Sequence, residues 1–419
     1  MTPLVYVLEE QVRSLLDQTG DVRLVDGVAY GFDGWTVFHA YTEKPVSTPS
    51  GHVCPCVAIR SDAAGFVDEE SLMMQVRMHV NPDGLPIVIL IAGTGAGGSP
   101  SCRALILADK GIAGADTRYV PRRSELFSRN TGLLETSALA EKKVVIVGLG
   151  SGGSPIALEL ARAGVGKFTL IDFDRLELGN ISRHVCGVND LGRYKTLAVR
   201  DQVLQKNPFA EVVTMEVNVN QSLNQVEDVV AGSDLLIVAS DNDQSRFNLN
   251  QMSLNNNKVA LYGRAITRAA GGDVLRVRPW KGPCYNCVFS SGLIDGREEE
   301  MSQKRQALAV LPAYVEEDKI NAMIQVGLSS DIAPIANMLT KMALVELSRG
   351  IETGMSTVDE DLISDFYVWA NRREEAYANW PRMGFKWTHP SILRWYAARV
   401  ERDPDCLVCG GHVEAEPAT

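Results

Sequence analysis

Residues 144–155 read VVIVGLGSGGSP, an apolar run that breaks into glycines. The β-branched residues predict a strand, and PIALELARAG at 155–164 has the periodicity of a helix. A strand that ends in glycines and leads into a helix lets backbone N–H groups approach a phosphate with no Cβ in the way. The spacing Gly148-x-Gly150-x-Gly152-Gly153 departs slightly from the dinucleotide fingerprint. Taken alone the turn is weak, since a ligand-free strand-to-helix turn can look the same.

The flanking sequence strengthens it. KFTLIDFD at 167–174, EVVTMEV at 211–217 and DLLIVAS at 234–240 are further short strands, and TLAVRDQVLQKN at 196–207 is a helix. Strands that alternate with amphipathic helices imply an α/β fold with a doubly wound, mostly parallel, Rossmann-like sheet. Apolar helical material runs from Ile332 to Leu347. Residues 1–125 lack this pattern. Their short apolar runs, broken at Gly31–Gly34 and Asn81–Gly84, predict a smaller α+β domain before the sheet domain of 126–419. Residues 93–100, GTGAGGSP, echo the later glycine turn but lie too close to it for a duplicated sheet, so a strand-turn-strand is expected there. The polar run 297–305 reads as a loop or a solvated helix.

The charged residues converge on one rim. The strand after the glycines ends Ile171-Asp172-Phe173-Asp174, where an acid about 20 positions on is placed to accept ribose hydroxyls. Asn180 and Arg183 follow, then Lys195 on the next helix; such cations suit a triphosphate, which an NAD site does not need. The strand at 234–240 runs into Asp241-Asn242, which places Asp241 at the carboxyl edge of the sheet, where it can hold Mg²⁺. Each charge alone reads as surface decoration, and the convergence carries the argument.

Cys284-Tyr-Asn-Cys287 and Cys406-Leu-Val-Cys409 have the spacing of a closed, structural Cys₄ zinc site that ties the tail back to the sheet. Two pairs together argue against a redox CxxC, and eight cysteines so distributed fit a reducing compartment. The 419 residues are 45% hydrophobic and 22% charged, ordinary for a globular protein. A net charge of −11 with no basic stripe argues against nucleic acid as a partner. No apolar run approaches the roughly 18 residues of a membrane helix, and the N-terminal residues lack a signal-peptide pattern, so a cytoplasmic protein is expected.

The order of these motifs resembles the ubiquitin-activating family, which includes the adenylyltransferases of molybdopterin-synthase and thiazole biosynthesis. The match rests on GLGSGGSP, DFDRLELGNISRH, GRYKTLAVRDQVLQKNP, ASDNDQSRFNLN, GDVLRVRPWKGPCYNC and CLVC, collinear over about 125–350 plus the last cysteine pair. The resemblance implies ATP-dependent adenylation of the C-terminal glycine of a ubiquitin-like protein. It implies that Gly148, Gly150 and Gly152 cradle the nucleotide and that Asp172, with Asp174 beside it, takes the ribose. Asn180, Arg183 and Lys195 would contact phosphates, Asp241, with Asn242 beside it, would carry Mg²⁺, and Cys284, Cys287, Cys406 and Cys409 would hold zinc. Arg129, in Ser128-Arg129-Asn130, resembles the family's N-terminal arginine, which reaches the γ-phosphate of a neighbouring subunit and so implies a homodimer.

The sequence departs from members that pass the modifier on as a thioester, because no cysteine lies between Cys287 and Cys406. Either the protein stops at the adenylate, or a cysteine elsewhere such as Cys186 serves, or the nucleophile has been replaced. Cys186 itself reads as a small packed residue. His52-Val-Cys-Pro55 and His79-Val-Asn-Pro82 each lack the second histidine of a metal-dependent deubiquitinating motif, so no metal is expected there. The accessory domain favours a bacterial ubiquitin-like conjugation pathway, of a kind used in antiviral defence, with a conjugating enzyme as a further partner. The alternatives are a sulfur-carrier adenylyltransferase for cofactor or tRNA modification, a non-catalytic nucleotide-fold scaffold, and an NAD-dependent oxidoreductase.

Overall fold

The computed structural model describes residues 3–17, 22–32, 35–41, 52–61, 68–81, 86–95, 100–109, 111–120, 123–289, 327–374, 377–382 and 389–411. The polar run 297–305 and parts of the 31–34 and 81–84 turns lie outside these residues. The chain forms two compact units, Met1–Ser128 and Arg129–Thr419.

The first unit is one mixed eight-stranded sheet. Its strands are β1 (Leu4–Leu8), β2 (Val22–Phe32), β3 (Trp35–Tyr41), β4 (His52–Arg60), β5 (Ile87–Thr94), β6 (Pro100–Ala108), β7 (Gly111–Gly114) and β8 (Asp116–Val120), in the order β7-β6-β5-β4-β2-β3-β1-β8. Alternation along β5 sends Val88 and Leu90 into one core with Val12 of the Glu9–Asp17 helix, and Ile87 and Ile89 into another with Leu72 and Val76 of the Glu69–His79 helix. β5 and β6 pair antiparallel from Ile87↔Leu107 to Thr94↔Pro100. The strands on either side of the first glycine-rich stretch thus form the expected antiparallel pair, and residues 96–99 of that stretch lie outside the described residues.

The second unit carries the sheet read from residues 144–240. Its strands are β9 (Lys143–Val147), β10 (Lys167–Ile171), β11 (Glu211–Met215), β12 (Leu235–Val238), β13 (Ala260–Ala265), β14 (Gly271–Val277), β15 (Phe366–Ala370) and β16 (Arg394–Ala398), ordered β11-β10-β9-β12-β13-β14-β15-β16. The sheet is parallel from β11 to β13 and antiparallel beyond. Val144 and Ile146 face the Gly153–Ala163, Lys195–Lys206 and Ser329–Leu347 helices, whereas Val145 and Val147 face the Leu223–Ala231 and Asp243–Asn255 helices. Helices on both faces explain why these strands are continuously apolar instead of alternating. On β14 the antiparallel half admits a helix closely: a Cβ on Gly272 would lie 2.2 Å from Ile335 Cδ1.

The Ser329–Leu347 helix is anchored at its far end by charge. Glu346 and Arg276, both almost wholly buried, pair at 3.2 Å, and Arg276 Nε donates to Asp365 Oδ1 at 2.6 Å. Glu346 also pairs with Arg278 at 2.8 Å and with Arg349 at 2.7 Å, so losing Arg276 thins a buried network without isolating its carboxylate. Arg276→Met should therefore lose about 1–3 kcal/mol in chemical denaturation, measured at constant m-value.

Candidate functional site

The chain runs β9, β10, β11 outward on one side and returns to β12 on the other, so the sheet reverses direction between β9 and β12. Ligands of open α/β sheets bind at the carboxyl ends of strands at such a point. A cavity of about 820 Å³ opens there. It is bounded by the glycine turn after β9 and by Ala239–Asn242 after β12.

The glycine turn works through three different requirements. Gly148 has φ +85°, and a Cβ there would lie 2.7 Å from the backbone of Ala239 and Ser240. Gly153 packs onto the turn itself, where a Cβ would come within 1.8 Å of Gly148 O. Gly150 and Gly152 face nothing within 4 Å, so their backbone is bare toward the cavity. Gly152 is also the N-cap of the 11-residue Gly153–Ala163 helix, whose positive dipole end favours an anion, although Ser154 N–H already donates to Gly150 O at 3.1 Å.

Leu149, fully buried within the turn, has both peptide groups held. Its N–H donates to Asp172 Oδ2 at 2.7 Å, and its carbonyl accepts from His184 Nε2 at 2.7 Å. Left unmet, either group would cost about 1–3 kcal/mol. Asp172 Oδ1 also accepts the Asp174 N–H at 2.9 Å. Burial raises the Asp172 pKa above the usual aspartate value, and Lys195 pulls it back. Lys195, itself buried, forms an ion pair with Asp174 at 2.7 Å.

The residues singled out from sequence meet on this cavity with one exception. Gly148, Gly150 and Gly152 line it, as do Asp172, Asp174, Asn180, Arg183, Lys195, Asp241 and Asn242. Asn242 caps the Asp243–Asn255 helix by accepting the Ser245 N–H at 2.9 Å, and Asp241 beside it is exposed. Arg129 is exposed in the short turn Ser128–Asn130 and does not line the cavity of its own chain. Several lining residues are not singled out by the sequence, three of them in hydrogen bonds that shape the rim. Besides His184, nearly buried Arg246 donates through Nε to Ser240 O at 2.9 Å and through Nη1 to Asp243 Oδ1 at 2.8 Å, fixing the chain just before Asp241. Asn220 Nδ2 donates to Asn242 Oδ1 at 3.1 Å. Arg246 and His184 lie within the motifs DNDQSRFNLN and GNISRH, but in a sequence neither can be told from a surface charge.

On the Tyr285–Phe289 side of the sheet, Cys284 Sγ lies 3.7 Å from Cys287 Sγ and 3.8 Å from Cys406 Sγ, and Cys287 Sγ lies 3.4 Å from Cys409 Sγ. All four are buried and lie within 4.8 Å of one another. Sulfurs about 2.3 Å from a tetrahedral zinc stand about 3.8 Å apart, so the set fits that ion. It is the only such group of potential metal ligands among the described residues, and His79 Nδ1 instead contacts Gln75 O at 2.9 Å. The knuckle is joined to the cavity's helix, because Asn250 Oδ1 accepts the Tyr285 N–H at 3.0 Å and Asn250 Nδ2 donates to Asn286 Oδ1 at 3.1 Å. Cys186 is buried, and burial pushes its thiol up to about 12, an inert setting.

The chain matches the ThiF family over residues 123–371, and it belongs to that family. It is similar to the ubiquitin-like modifier-activating enzyme 5 of Caenorhabditis elegans, 29% identical over 39% of this chain and 42% of that protein. It is also similar to the sulfur carrier protein ThiS adenylyltransferase of Escherichia coli, 31% identical over 36% of this chain and 59% of that protein. The chain thus spans less than two thirds of the length of these relatives. A crystal structure of MccB from E. coli aligns at a TM-score of 0.48 with 18% identity, over 68% of this chain and 69% of that one.

Two predictions follow from the site. Gly153→Ala should unfold the domain or lower its melting temperature steeply, since backbone must move, whereas Gly150→Ala should melt like the parent yet bind nucleotide less well. Thermal denaturation beside calorimetric ATP titration checks both. Native protein should also carry one zinc per chain by elemental analysis. Cys406→Ser should lose it and destabilise the tail, because the metal contributes folding energy there.

Proposed function

We propose that the chain is an adenylyltransferase that activates the C-terminal glycine of a ubiquitin-like protein with ATP. The single observation that carries this reading is the cavity at the β9–β12 reversal, where a bare glycine turn and helix N-terminus meet Asp172, Arg183, Lys195 and Asp241. Membership of the ThiF family supports it. The relatives include both a ubiquitin-like modifier-activating enzyme and a sulfur carrier adenylyltransferase, so the choice between these rests on the accessory domain.

In this reading the turn and helix N-terminus bind the triphosphate, and Asp172 accepts the ribose hydroxyls with lone pairs left over from its two backbone contacts. A polyanion displaces half-exposed Asp174 from Lys195, and its phosphates replace the charge partner that the buried ammonium gives up. The modifier's carboxylate oxygen attacks the α-phosphorus, the bond to the β-phosphate breaks, and pyrophosphate leaves with its electrons. Asp241 would hold Mg²⁺, which neutralises phosphate charge when bound. Arg183 and Lys195 stabilise charge that shifts onto the leaving group. Arg129, away from its own cavity, serves the partner's site across a homodimer, and Asn180 and Asn242 orient the rim. The four cysteines hold zinc.

The pathway we favour is a bacterial, cytoplasmic, antiviral ubiquitin-like conjugation system in which residues 1–125 recruit the modifier or its conjugating enzyme. Neither nucleic acid nor membrane is a partner, and no described helix is long and apolar enough to cross a bilayer. With no cysteine between Cys287 and Cys406 and Cys186 buried, this chain carries the modifier no further than the adenylate. Sulfur-carrier activation is the second reading, favoured if cofactor-synthesis genes adjoin this one.

ATP–pyrophosphate exchange tests the reading. Exchange should require a β-grasp partner ending in glycine, and none with any neighbouring modifier rejects it. Asp241→Asn should lower the exchange rate by a factor on the order of 10² at saturating ATP with modest change in ATP affinity, whereas Asp172→Asn should mainly weaken binding. Arg129→Ala should abolish exchange while leaving the fold intact. Mixed with Asp241→Ala protein it should recover part of the activity in verified heterodimers, and no recovery would place Arg129 outside the partner's site.

A further inference from the structure

His184 lines the cavity, yet the chemistry proposed above gives it no task. Its Nε2 lies 2.7 Å from the Leu149 carbonyl oxygen, and its Nδ1 lies 3.1 Å from the Cys186 amide nitrogen. A carbonyl can only accept and an amide N–H can only donate. The two contacts together therefore require a neutral ring with its proton on Nε2. Asp172 takes the N–H of the same Leu149 residue, so two side chains from the segment after β10 grip one residue of the turn from both of its polar groups.

Leu149 stands between Gly148 and Gly150, neither of which has a side chain to restrain the backbone. Its own side chain is fully buried, which places the residue but does not by itself set the orientation of its peptide planes. Rotating the Leu149–Gly150 peptide would reorient the N–H of Gly150, a residue of the cavity wall, and the Leu149 carbonyl belongs to that same peptide. We propose that His184 is a positioning residue for the nucleotide: as the neutral Nε2–H tautomer it locks the Leu149–Gly150 peptide so that the glycine turn meets the phosphates already oriented. This rests on the nucleotide reading of the cavity.

The surroundings suit a neutral ring. Burial lowers the pKa of His184 most, the Leu149 hydrogen bond opposes it, Lys195 lowers it further and Asp190 raises it. Asp172, on the other side of Leu149, is the remaining titratable group at the clamp. Protonation at Nδ1 would set a donor against the Cys186 N–H and give up that contact. A glutamine has one donor and one acceptor at comparable reach and does not titrate, whereas methionine fills similar space with neither.

The test compares the parent protein with His184→Gln and His184→Met. Amide hydrogen exchange across residues 148–152 reads the clamp, calorimetric ATP titration reads its consequence, and thermal melts confirm that each variant is folded. His184→Met should speed exchange of the turn and weaken ATP binding on the order of tenfold, the scale of one hydrogen bond. His184→Gln should recover most of both. In the parent, long-range ¹H–¹⁵N correlation should show His184 protonated at Nε2 alone. If His184→Met matches the parent in exchange and affinity, or if His184→Gln is no better than His184→Met, the positioning role is wrong. A parent that binds no ATP while its turn is protected refutes the nucleotide reading instead.

Discussion

The contact between Gly153 and the carbonyl of Gly148 sets the geometry of everything around the cavity. With no Cβ at 153 the first turn of the Gly153–Ala163 helix sits directly on the end of β9, and a methyl there would lie 1.8 Å from Gly148 O. That close approach aims the helix N-terminus at the space beyond β9. Gly148 makes the matching concession on the other side, lying against the backbone of Ala239 and Ser240 at the end of β12. The two glycines thus bring three chain segments together at one point. No larger residue fits either place, and the cavity exists because the sheet reverses there.

Around that point the polar groups form a graded set. Those nearest the turn are engaged with backbone: Asp172 and His184 hold Leu149, and Arg246 holds Ser240. Others pair with a charged side chain or lie exposed, as with Asp174 opposite Lys195 and with Asp241. The arrangement separates residues that build the shape of the site from residues left to meet a ligand's charge. The cysteine knuckle belongs to the first kind at longer range. Asn250 ties it to the helix that begins at Asp243, so the tail stabilises the same element that carries Asn242 and Arg246 into the cavity.

Much of this was legible in the sequence, for identifiable reasons. β9, β10 and β12 are buried on both faces, which writes a continuous β-branched run such as VVIV that cannot be mistaken for a surface strand. Glycine turns and paired cysteines are local patterns, and the Ser329–Leu347 helix announces itself by apolar content. The antiparallel continuation from β14 to β16 was not legible, because β14 and β15 are separated by a long stretch and pair only through tertiary contact. His184 and Arg246 escaped for a related reason. Their partners are backbone atoms 35 and 6 residues away, and a hydrogen bond to a carbonyl leaves no mark on the partner's identity.

The proposed role of the bare turn at Gly150–Gly152 is to receive the phosphates of ATP. A crystal structure with a non-hydrolysable ATP analogue and Mg²⁺ should then show the triphosphate against the backbone of Gly150–Gly152 and the helix N-terminus, the ribose on Asp172, and Lys195 moved off Asp174. A nucleotide bound elsewhere, or a turn that stays clear of it at saturating analogue, would overturn that role.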